Sequence, residues 1–361
     1  MCPSCFFSLF AELSYGSCKL NHILKLQRYM NYQKAFLPVV MLLISSILLA
    51  QKDKYEKIMG ADISFLPELE DKGIHFSVDG TEGDAIDILK QHGFNYIRLR
   101  IFNDPGSDSG YSPGKDYCGL EQTKMMAKRI KAAGLKFLLD FHYSDTWADP
   151  GKQFKPAAWE DLDFGQLITA VRGYTKDVLT ELKKQGTLPD MVQVGNEINH
   201  GMIWPDGKAD NMDNLAALFK AGAAGVKDVD ASIPIMLHIA CGGQNKESVS
   251  FIDNMLERDV KFDVIGESYY PQWHGTLDSL QYNLNDLSKH YKQDIIVVEY
   301  TYKKNEVNDI AFNIPDGKMK GTFIWEPLNT WEFIFDKDGK ANELLNLYPG
   351  IAKKYNIKLL K

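Results

Sequence analysis

Two short runs of the sequence, Met191-Val-Gln-Val-Gly-Asn-Glu-Ile-Asn199 and Ile295-Ile-Val-Val-Glu-Tyr-Thr301, share one pattern. In each, β-branched and apolar residues lead to a glutamate at the downstream end. Apolar residues at consecutive positions are typical of a strand that is buried on both faces, as in a parallel sheet. Since an ionised carboxylate is costly to bury unless it is paired or functional, Glu197 and Glu299 at matching positions predict a catalytic pair.

Strand-length apolar runs alternate with longer amphipathic stretches along the rest of the chain. Eight strands are predicted, at Ile58 to Ser64, Tyr96 to Phe102, Lys136 to His142, Met191 to Asn196, Ile235 to Ile239, Val264 to Tyr269, Ile295 to Tyr300 and Gly321 to Trp325. Helices are predicted at Asp84 to Gln91, Glu121 to Ala133, Phe164 to Lys184, Asn214 to Asp228, Ser248 to Arg258, Leu277 to Tyr291 and Leu344 to Tyr355. This alternation is typical of α/β proteins with a parallel sheet.

Eight strands with intervening helices in roughly 300 residues predict a single-domain (β/α)8 TIM barrel. A doubly wound open sheet is the alternative, but no G-x-G-x-x-G phosphate fingerprint follows a predicted strand. The connection between strands seven and eight is predicted to be shortened, because Asn305 to Phe312 can supply little more than two helical turns.

Composition limits the function classes. A net charge of -7 without a basic block argues against a nucleic-acid partner. The five cysteines show no metal-ligand spacing, and beyond residue 50 only Cys118 and Cys241 remain, which could form at most one disulfide. We expect no metal and no cofactor. The aromatic content of 12% suits a carbohydrate cleft, although most aromatic residues serve ordinary cores.

The N-terminal region predicts export. A basic start at Met30 to Lys34, an apolar stretch from Ala35 to Leu49 and a small residue at Ala50 have the layout of a signal peptide. We therefore expect residues 1–29 to be an upstream extension, residues 30–50 a signal peptide and residues 51–361 the catalytic barrel. The stretch is short for a spanning helix, although an uncleaved anchor is the alternative. Export would place the protein outside the cell, in the periplasm or at the cell surface.

Polar residues follow each predicted strand, where the active-site loops of such a barrel gather. Each also has a structural explanation, such as an arginine paired with a core carboxylate or a histidine satisfied in the core. The residues are Asp62, Ser64, Arg98, Arg100, Asp140, His142, Asn196, Glu197, His238, Tyr269, Tyr270, Glu299, Trp325 and Glu326.

The two glutamates fit the cleavage of a glycosidic bond. A retaining mechanism needs two carboxyl groups about 5 to 5.5 Å apart, one as the nucleophile and one as the acid/base. Asn196 could hold a sugar hydroxyl beside Glu197, and burial would raise the pKa of that carboxyl so that it keeps its proton. Arg98 and Tyr269 are expected to keep Glu299 ionised through charge and a hydrogen bond.

Tryptophan offers flat apolar faces on which pyranose rings can lie. All six tryptophans follow predicted barrel strands, although tryptophan in long loops often only packs those loops. They are Trp147, Trp159, Trp204, Trp273, Trp325 and Trp331.

The sequence resembles the family 53 glycoside hydrolases, the arabinogalactan endo-β-1,4-galactanases of clan A, from about Met59 to Leu345. The specific segments are Leu139-Asp-Phe-His-Tyr-Ser-Asp-Thr-Trp-Ala-Asp-Pro150 and Ser268-Tyr-Tyr-Pro-Gln-Trp-His-Gly275. The resemblance implies retaining hydrolysis of β-1,4-galactan, with Glu197 as the acid/base and Glu299 as the nucleophile. It also implies a sugar subsite formed by Arg98, His142, Asn196, Tyr269 and Trp325, with Trp273 and His274 nearby.

One departure from the family and two alternatives remain. Bacterial relatives often bind calcium in an insertion after strand seven, whereas Lys303 to Lys320 is short and lacks clustered ligands, so we expect no structural calcium. The alternatives are a clan relative that cuts mannan or cellulose, and a barrel that binds galactan without cleaving it. No protein partner is evident, and we expect a monomer.

Overall fold

The computed structural model describes residues 57–328 and 332–358. Eight strands in these segments form a closed, parallel barrel, in which the first strand pairs with the eighth. Their bounds are β1 Ile58–Asp62, β2 Tyr96–Ile101, β3 Lys136–Phe141, β4 Met191–Val194, β5 Ile235–Ile239, β6 Val264–Tyr269, β7 Asp294–Tyr300 and β8 Met319–Trp325. The predicted TIM barrel is confirmed. The doubly wound alternative is wrong, because an open sheet has two edge strands and this sheet closes on itself.

One main helix follows each barrel strand. The bounds are α1 Ala85–Gln91, α2 Leu120–Ala132, α3 Phe164–Lys184, α4 Met212–Val229, α5 Asn245–Glu257, α6 Leu277–His290, α7 Lys304–Asn313 and α8 Leu347–Tyr355. The connection between β7 and β8 therefore holds a helix of ten residues, short but complete. The predicted final helix begins at Leu347 rather than Leu344, because Glu343–Asn346 is a 3-10 turn.

Local chemistry sets several element ends. Helix α3 begins with a capping box, in which the Asp163 carboxylate accepts from the Gln166 N–H and the Gln166 side chain bonds back to the Asp163 N–H. Strand β4 ends at Val194, two residues before the predicted end, because Gly195 (φ 82°) and Glu197 (φ 49°) adopt left-handed conformations that turn the chain.

The lower part of the barrel interior is apolar and tightly filled. A Cβ atom on Gly60 would lie 2.1 Å from Cδ1 of Phe323, so glycine at this position of β1 makes room for the ring. Phe323 also packs edge-on against Tyr96, with ring centroids 5.6 Å apart. These side chains close the bottom of the barrel beneath a polar upper layer.

Several short elements were not predicted from the sequence. They are helices at Leu66–Asp71 and Pro271–His274 and two small hairpins, one pairing Ser77–Val78 with Thr81–Glu82 and one pairing Gly201–Met202 with Gly207–Lys208. These elements lie in the connections between barrel strands and helices. Cys118 and Cys241 are both buried and free, so no disulfide joins them.

The expected leader lies outside the described residues, as do Trp331 and the chain's last three positions. In the part of the chain that the structure describes, no helix combines the length and the apolar composition that crossing a bilayer requires.

Glu267 is a buried acid between the barrel wall and the helices outside it. Its Oε1 accepts from Ser248 Oγ on α5 at 2.9 Å and from Asn283 Nδ2 on α6 at 3.2 Å, and its Oε2 accepts from the Cys241 N–H at 3.3 Å. Burial raises the pKa of Glu267 to about 8, against the effect of these hydrogen bonds. At neutral pH the carboxyl is therefore mainly protonated, which explains how an acid is tolerated inside an apolar strand.

We expect Gly60→Ala to lower the free energy of unfolding by about 1–3 kcal/mol, because the added methyl group collides with the Phe323 ring. Chemical denaturation monitored by circular dichroism measures the change. Gly173→Ala is the control, since Gly173 lies within α3 and a Cβ atom there would meet nothing within 4 Å. That substitution should be neutral or stabilising by about 0.5–1 kcal/mol. If the two substitutions changed the free energy of unfolding equally, the close packing of Phe323 against Gly60 would be contradicted.

We expect Glu267→Gln to become more stable relative to the parent as pH rises. The pKa of Glu267 is about 8 in the folded chain, against about 4.3 in an unfolded one, so folding takes up a proton between these values. The parent therefore loses stability as pH rises from about 5 to 8, on the order of 3 kcal/mol, and levels off above. The amide does not titrate. Urea denaturation at pH 5, 6.5 and 8 tests this, and a difference that stays constant with pH would refute it.

Candidate active site

A cavity of about 710 Å³ opens where the barrel strands end. Its size falls in the range typical of small-molecule sites, roughly 300–1,000 Å³. Eight of the nine side chains predicted from the sequence as site residues line it: Arg98, His142, Asn196, Glu197, Trp273, His274, Glu299 and Trp325. Tyr269 is the exception. The two glutamates, 102 positions apart in sequence, thus share one cavity.

Glu197 is held at the cavity wall by its own strained backbone and by a chain of hydrogen bonds. Its N–H donates to Nδ1 of His238 at 3.3 Å, and the other ring nitrogen of His238 lies 2.9 Å from Oγ of Ser268. The Ser268 hydroxyl is in turn hydrogen-bonded to the Glu197 carboxyl. Burial and the charge of Arg98 lower the pKa of His238, so this imidazole is neutral.

The environment of Glu197 favours its protonated form. The residue is 8% exposed. Burial, followed by the negative charge of Glu299, raises the pKa of Glu197 to about 8, although the hydrogen bond from Ser268 acts in the opposite direction. No salt bridge to Glu197 is found among the described residues. At neutral pH this carboxyl is therefore able to donate a proton.

Glu299 has a different environment. Its Oε1 accepts from Nη1 of Arg98 at 2.6 Å, and its Oε2 accepts from the Tyr270 hydroxyl at 3.1 Å. Burial raises the pKa of Glu299 above its usual value, although the guanidinium of Arg98 acts in the opposite direction. Because Arg98 is bonded to Glu299 and acts on Glu197 only from a distance, the shared negative charge of the pair resides on Glu299 and the proton on Glu197.

Arg98 organises the floor of the cavity and has no donor left for a ligand. Its pKa is raised further by the surrounding carboxylates, so it stays cationic. An arginine side chain has five N–H donors. All five meet side-chain oxygens, those of Asp62 (2.9 Å), Asp140 (2.8 Å), Gln193 (3.2 Å), Asn196 (3.0 Å) and Glu299 (2.6 Å). The sequence suggested a substrate-binding arginine; Arg98 lines the cavity with every donor bonded to the protein, and its role toward a substrate stays a prediction.

The prediction for Tyr269 is wrong in its contact. The Tyr269 hydroxyl donates to the carbonyl oxygen of Gly275 at 3.0 Å, and the side chain does not line the cavity. The neighbouring Tyr270 makes the expected hydrogen bond to Glu299. Consecutive side chains of an extended segment point to opposite sides, and β6 shifts register against β7 between Glu267 and Ser268, so the motif alone did not decide which tyrosine faces inward.

Asn196 and His142 are buried beside the glutamates and bonded to the protein. Nδ2 of Asn196 donates to the Ala148 carbonyl oxygen at 2.8 Å. The His142 ring accepts from the Ala148 N–H at 3.1 Å, and its other nitrogen lies 3.1 Å from Oδ2 of Asp140. Both side chains therefore also hold the segment that carries Trp147.

The tryptophans divide into groups. Trp147, Trp273 and Trp325 line the cavity, and Trp273 is the most open of them, with 59% of its surface exposed. Trp147 packs edge-on against Trp325, with ring centroids 6.2 Å apart. Trp159 is buried against Tyr174, and Trp204 lies at a separate hollow.

Arg100 supports the aromatic wall from below. Its guanidinium carbon lies 4.2 Å from the centroid of the Trp147 ring and 4.4 Å from that of Phe65, which are cation–π distances. Glu326 accepts a hydrogen bond from this guanidinium. The aromatic wall is thus built on a buried ion pair.

Sequence reasoning missed the residues on one side of the cavity. These residues lie in the connections that follow β3, β4 and β5 or at the start of α5, and they carry no strand-end signal; only their place after those strands could have suggested them. They are Asp149, Lys152, Asn199, His200, Gln244 and Glu247. Nδ2 of Asn199 donates to Oε1 of Glu247 at 3.1 Å, which links the loop after β4 to the start of α5.

Within residues 57–328 and 332–358, no group of three or more His, Cys, Asp and Glu side chains is arranged to hold a metal ion. The expectation that the chain needs no metal and no calcium stays a prediction.

Comparison with known sequences gives one family. The model of glycosyl hydrolase family 53 matches residues 58–318, more than half of the chain. An uncharacterized protein in the bgaB 5′ region of Niallia circulans is 48% identical over 254 residues, which are 68% of this chain and 67% of that protein. The endo-β-1,4-galactanase of Bacillus subtilis is 37% identical over 297 residues. That alignment covers 82% of this chain but 66% of the relative, just under two thirds of its length.

The fold agrees with the sequence comparison. The solved catalytic domain of an Ignisphaera aggregans family 53 protein superimposes with a TM-score of 0.76 at 33% identity. The superposition covers 81% of this chain and 95% of that domain. From the family match, the shared barrel and the two buried glutamates at one cavity, it follows that the chain belongs to glycosyl hydrolase family 53.

Proposed function

We propose that the chain is an endo-β-1,4-galactanase that hydrolyses galactan with retention of anomeric configuration, with Glu299 as the nucleophile and Glu197 as the acid/base. One observation carries this proposal. Two buried carboxyls share a cavity in different electrostatic environments, since Glu299 is bonded to Arg98 and no cation is bonded to Glu197 among the described residues. Environments that separate two pKa values in this way are what a pair with two roles requires.

The chemistry follows from these environments. Ionised Glu299 attacks the anomeric carbon while Glu197 gives its proton to the departing glycosidic oxygen, and a glycosyl-enzyme forms. Glu197, now a carboxylate, removes a proton from water, and that water displaces Glu299 from the sugar. Arg98 and Tyr270 hold Glu299 in place during both steps. The tryptophan faces at the cavity offer stacking surfaces for the neighbouring sugars.

The substrate class rests on the family and its members. The Bacillus subtilis relative is an endo-β-1,4-galactanase, and its alignment spans most of this chain. The lining of the cavity is a mixture of aromatic, amide and charged side chains, which suits a neutral polysaccharide. We include in the proposal that residues 30–50 direct export and that the enzyme acts outside the cell as a monomer. N-terminal sequencing of the secreted product and its sedimentation test these two points.

We expect Glu299→Gln to lower kcat on β-1,4-galactan by at least about a thousandfold, because an amide cannot act as the nucleophile. Reducing-sugar release measures this. Glu267→Gln is the control, since it makes the same chemical change at a buried glutamate outside the cavity and should keep near-parental activity at pH 6. Comparable losses in the two variants would remove the nucleophile assignment.

Azide rescue of the Glu197→Ala and Glu299→Ala variants distinguishes the acid/base from the nucleophile. Glu197→Ala with azide should form a β-galactosyl azide from an activated substrate, and Glu299→Ala an α-galactosyl azide. The reverse outcome would exchange the roles of the two glutamates.

Proton NMR of the parent's first product should show the β anomer, and an initial α anomer would refute retention. Parallel assays on mannan and cellulose should show little hydrolysis.

We expect kcat/KM to follow a bell-shaped pH profile whose alkaline limb reflects the loss of the Glu197 proton, with a pKa of about 8.

Tyr270→Phe removes a hydrogen bond to ionised Glu299, so the pKa of Glu299 rises and the acidic limb of kcat/KM should move up by roughly half to one pH unit. Tyr269→Phe is the matched control, because its hydroxyl bonds Gly275 instead. If both variants shift the acidic limb alike, Tyr270 does not act on the nucleophile.

A further inference from the structure

A second hollow of about 500 Å³ lies beside the catalytic cavity. We call it the Phe154 hollow; its lining includes Phe154, Trp204, Ser144, Thr146, Asp145 and Glu160. Its volume is also in the range of small-molecule sites. None of these residues lines the catalytic cavity.

The Phe154 hollow and the catalytic cavity are built from the same two loops. In the loop after β3, Trp147 to Lys152 line the cavity, whereas Phe154 and Lys155 line the hollow. In the loop after β4, His200 lines the cavity and Trp204 the hollow. A chain of linked sugars that leaves the cavity over these loops therefore meets the hollow next.

The hollow is preorganised by hydrogen bonds. The Trp204 N–H donates to the Gln153 carbonyl oxygen at 2.6 Å, and its indole N–H donates to the His200 carbonyl oxygen at 3.1 Å. The Asp145 carboxylate accepts from the N–H groups of Asp104 and Ala157 at 2.9 and 2.8 Å. A ligand would meet a surface whose shape is already fixed, which reduces the entropy cost of binding.

Phe154 presents an exposed aromatic ring at the hollow. It is 55% exposed, close to the 59% of Trp273 in the catalytic cavity. Both aromatic rings stand in the connections that follow barrel strands, and both line a concave surface. An apolar ring beside a concave, hydroxyl-bearing surface is a typical feature of a carbohydrate site.

The polar groups of the hollow suit a neutral sugar. Thr146 and Glu160 bring a hydroxyl and a carboxylate that can bond sugar hydroxyls. Lys155, the cation in the lining, is paired with Asp206 at 2.6 Å, so no cation is left for an acidic glycan. We propose that the Phe154 hollow binds a pyranose unit of the galactan chain outside the catalytic cavity, and thus favours polymeric over short substrates. This proposal rests on the proposed function for the identity of the glycan.

Binding is tested apart from catalysis in the full-length Glu299→Gln background. Affinity electrophoresis through gels containing β-1,4-galactan should show the apparent dissociation constant rise about fivefold on adding Phe154→Ala, since one stacking surface is lost. Tyr282→Ala is the matched control, because Tyr282 is 62% exposed and lines neither the cavity nor the hollow. Equal retardation of the Phe154→Ala and Tyr282→Ala proteins would overturn the proposal.

The kinetic arm uses Phe154→Ala with an active Glu299. We expect KM for polymeric galactan to rise about fivefold while kcat and the rate on a galactotriose stay at the parental level. An equal loss on both substrates would overturn the proposal, because it would place Phe154 in the catalytic cavity. If the parent cleaves no galactan, the proposed function fails, and the gel measurement still decides whether the hollow binds the polymer.

Discussion

The hydrogen bonds and ion pairs that the Arg98 guanidinium makes with five side chains are the interaction on which the site depends. One guanidinium lies between the carboxylates of β1, β3 and β7 and fixes their oxygens within hydrogen-bond distance. Removing that charge would leave three buried carboxylates without compensation, which is far costlier than losing a surface ion pair. The same guanidinium decides which glutamate of the pair is ionised. The Arg98 guanidinium thus both stabilises the buried carboxylates of the barrel and keeps Glu299 ionised.

Arg98 also explains why the polar layer lies where it does. The lower barrel is filled by rings such as Phe323 and needs a glycine opposite. The upper barrel instead holds charged and amide side chains whose partners come from different strands. Because four of the five partners of Arg98 sit on strands fixed by backbone pairing, the network forms only when the whole barrel closes. Catalytic geometry is therefore a consequence of strand register rather than of any single loop.

The sequence predicted the barrel well because its strands are continuous apolar runs and its helices carry clear signals, such as the Asp163 and Gln166 capping box. The positions of Glu197 and Glu299 followed from the same runs. The choice between Tyr269 and Tyr270 could not be made, since it depends on how β6 pairs with β7, whose register shifts in a way that no local pattern encodes. The role of Arg98 was likewise hidden, because counting its five acceptors requires knowing which strands are neighbours. Loop residues such as Lys152 were missed because loops have no periodicity to interpret.

The saturation of Arg98 has an evolutionary consequence. A floor whose donors are all taken contributes reactivity but little discrimination between sugars. Selectivity must then come from the aromatic and polar residues of the loops above it, which can change without disturbing the contact between Arg98 and Glu299. New preferences for glycans can therefore arise by replacement of the loops while the charged residues at the floor of the cavity stay the same.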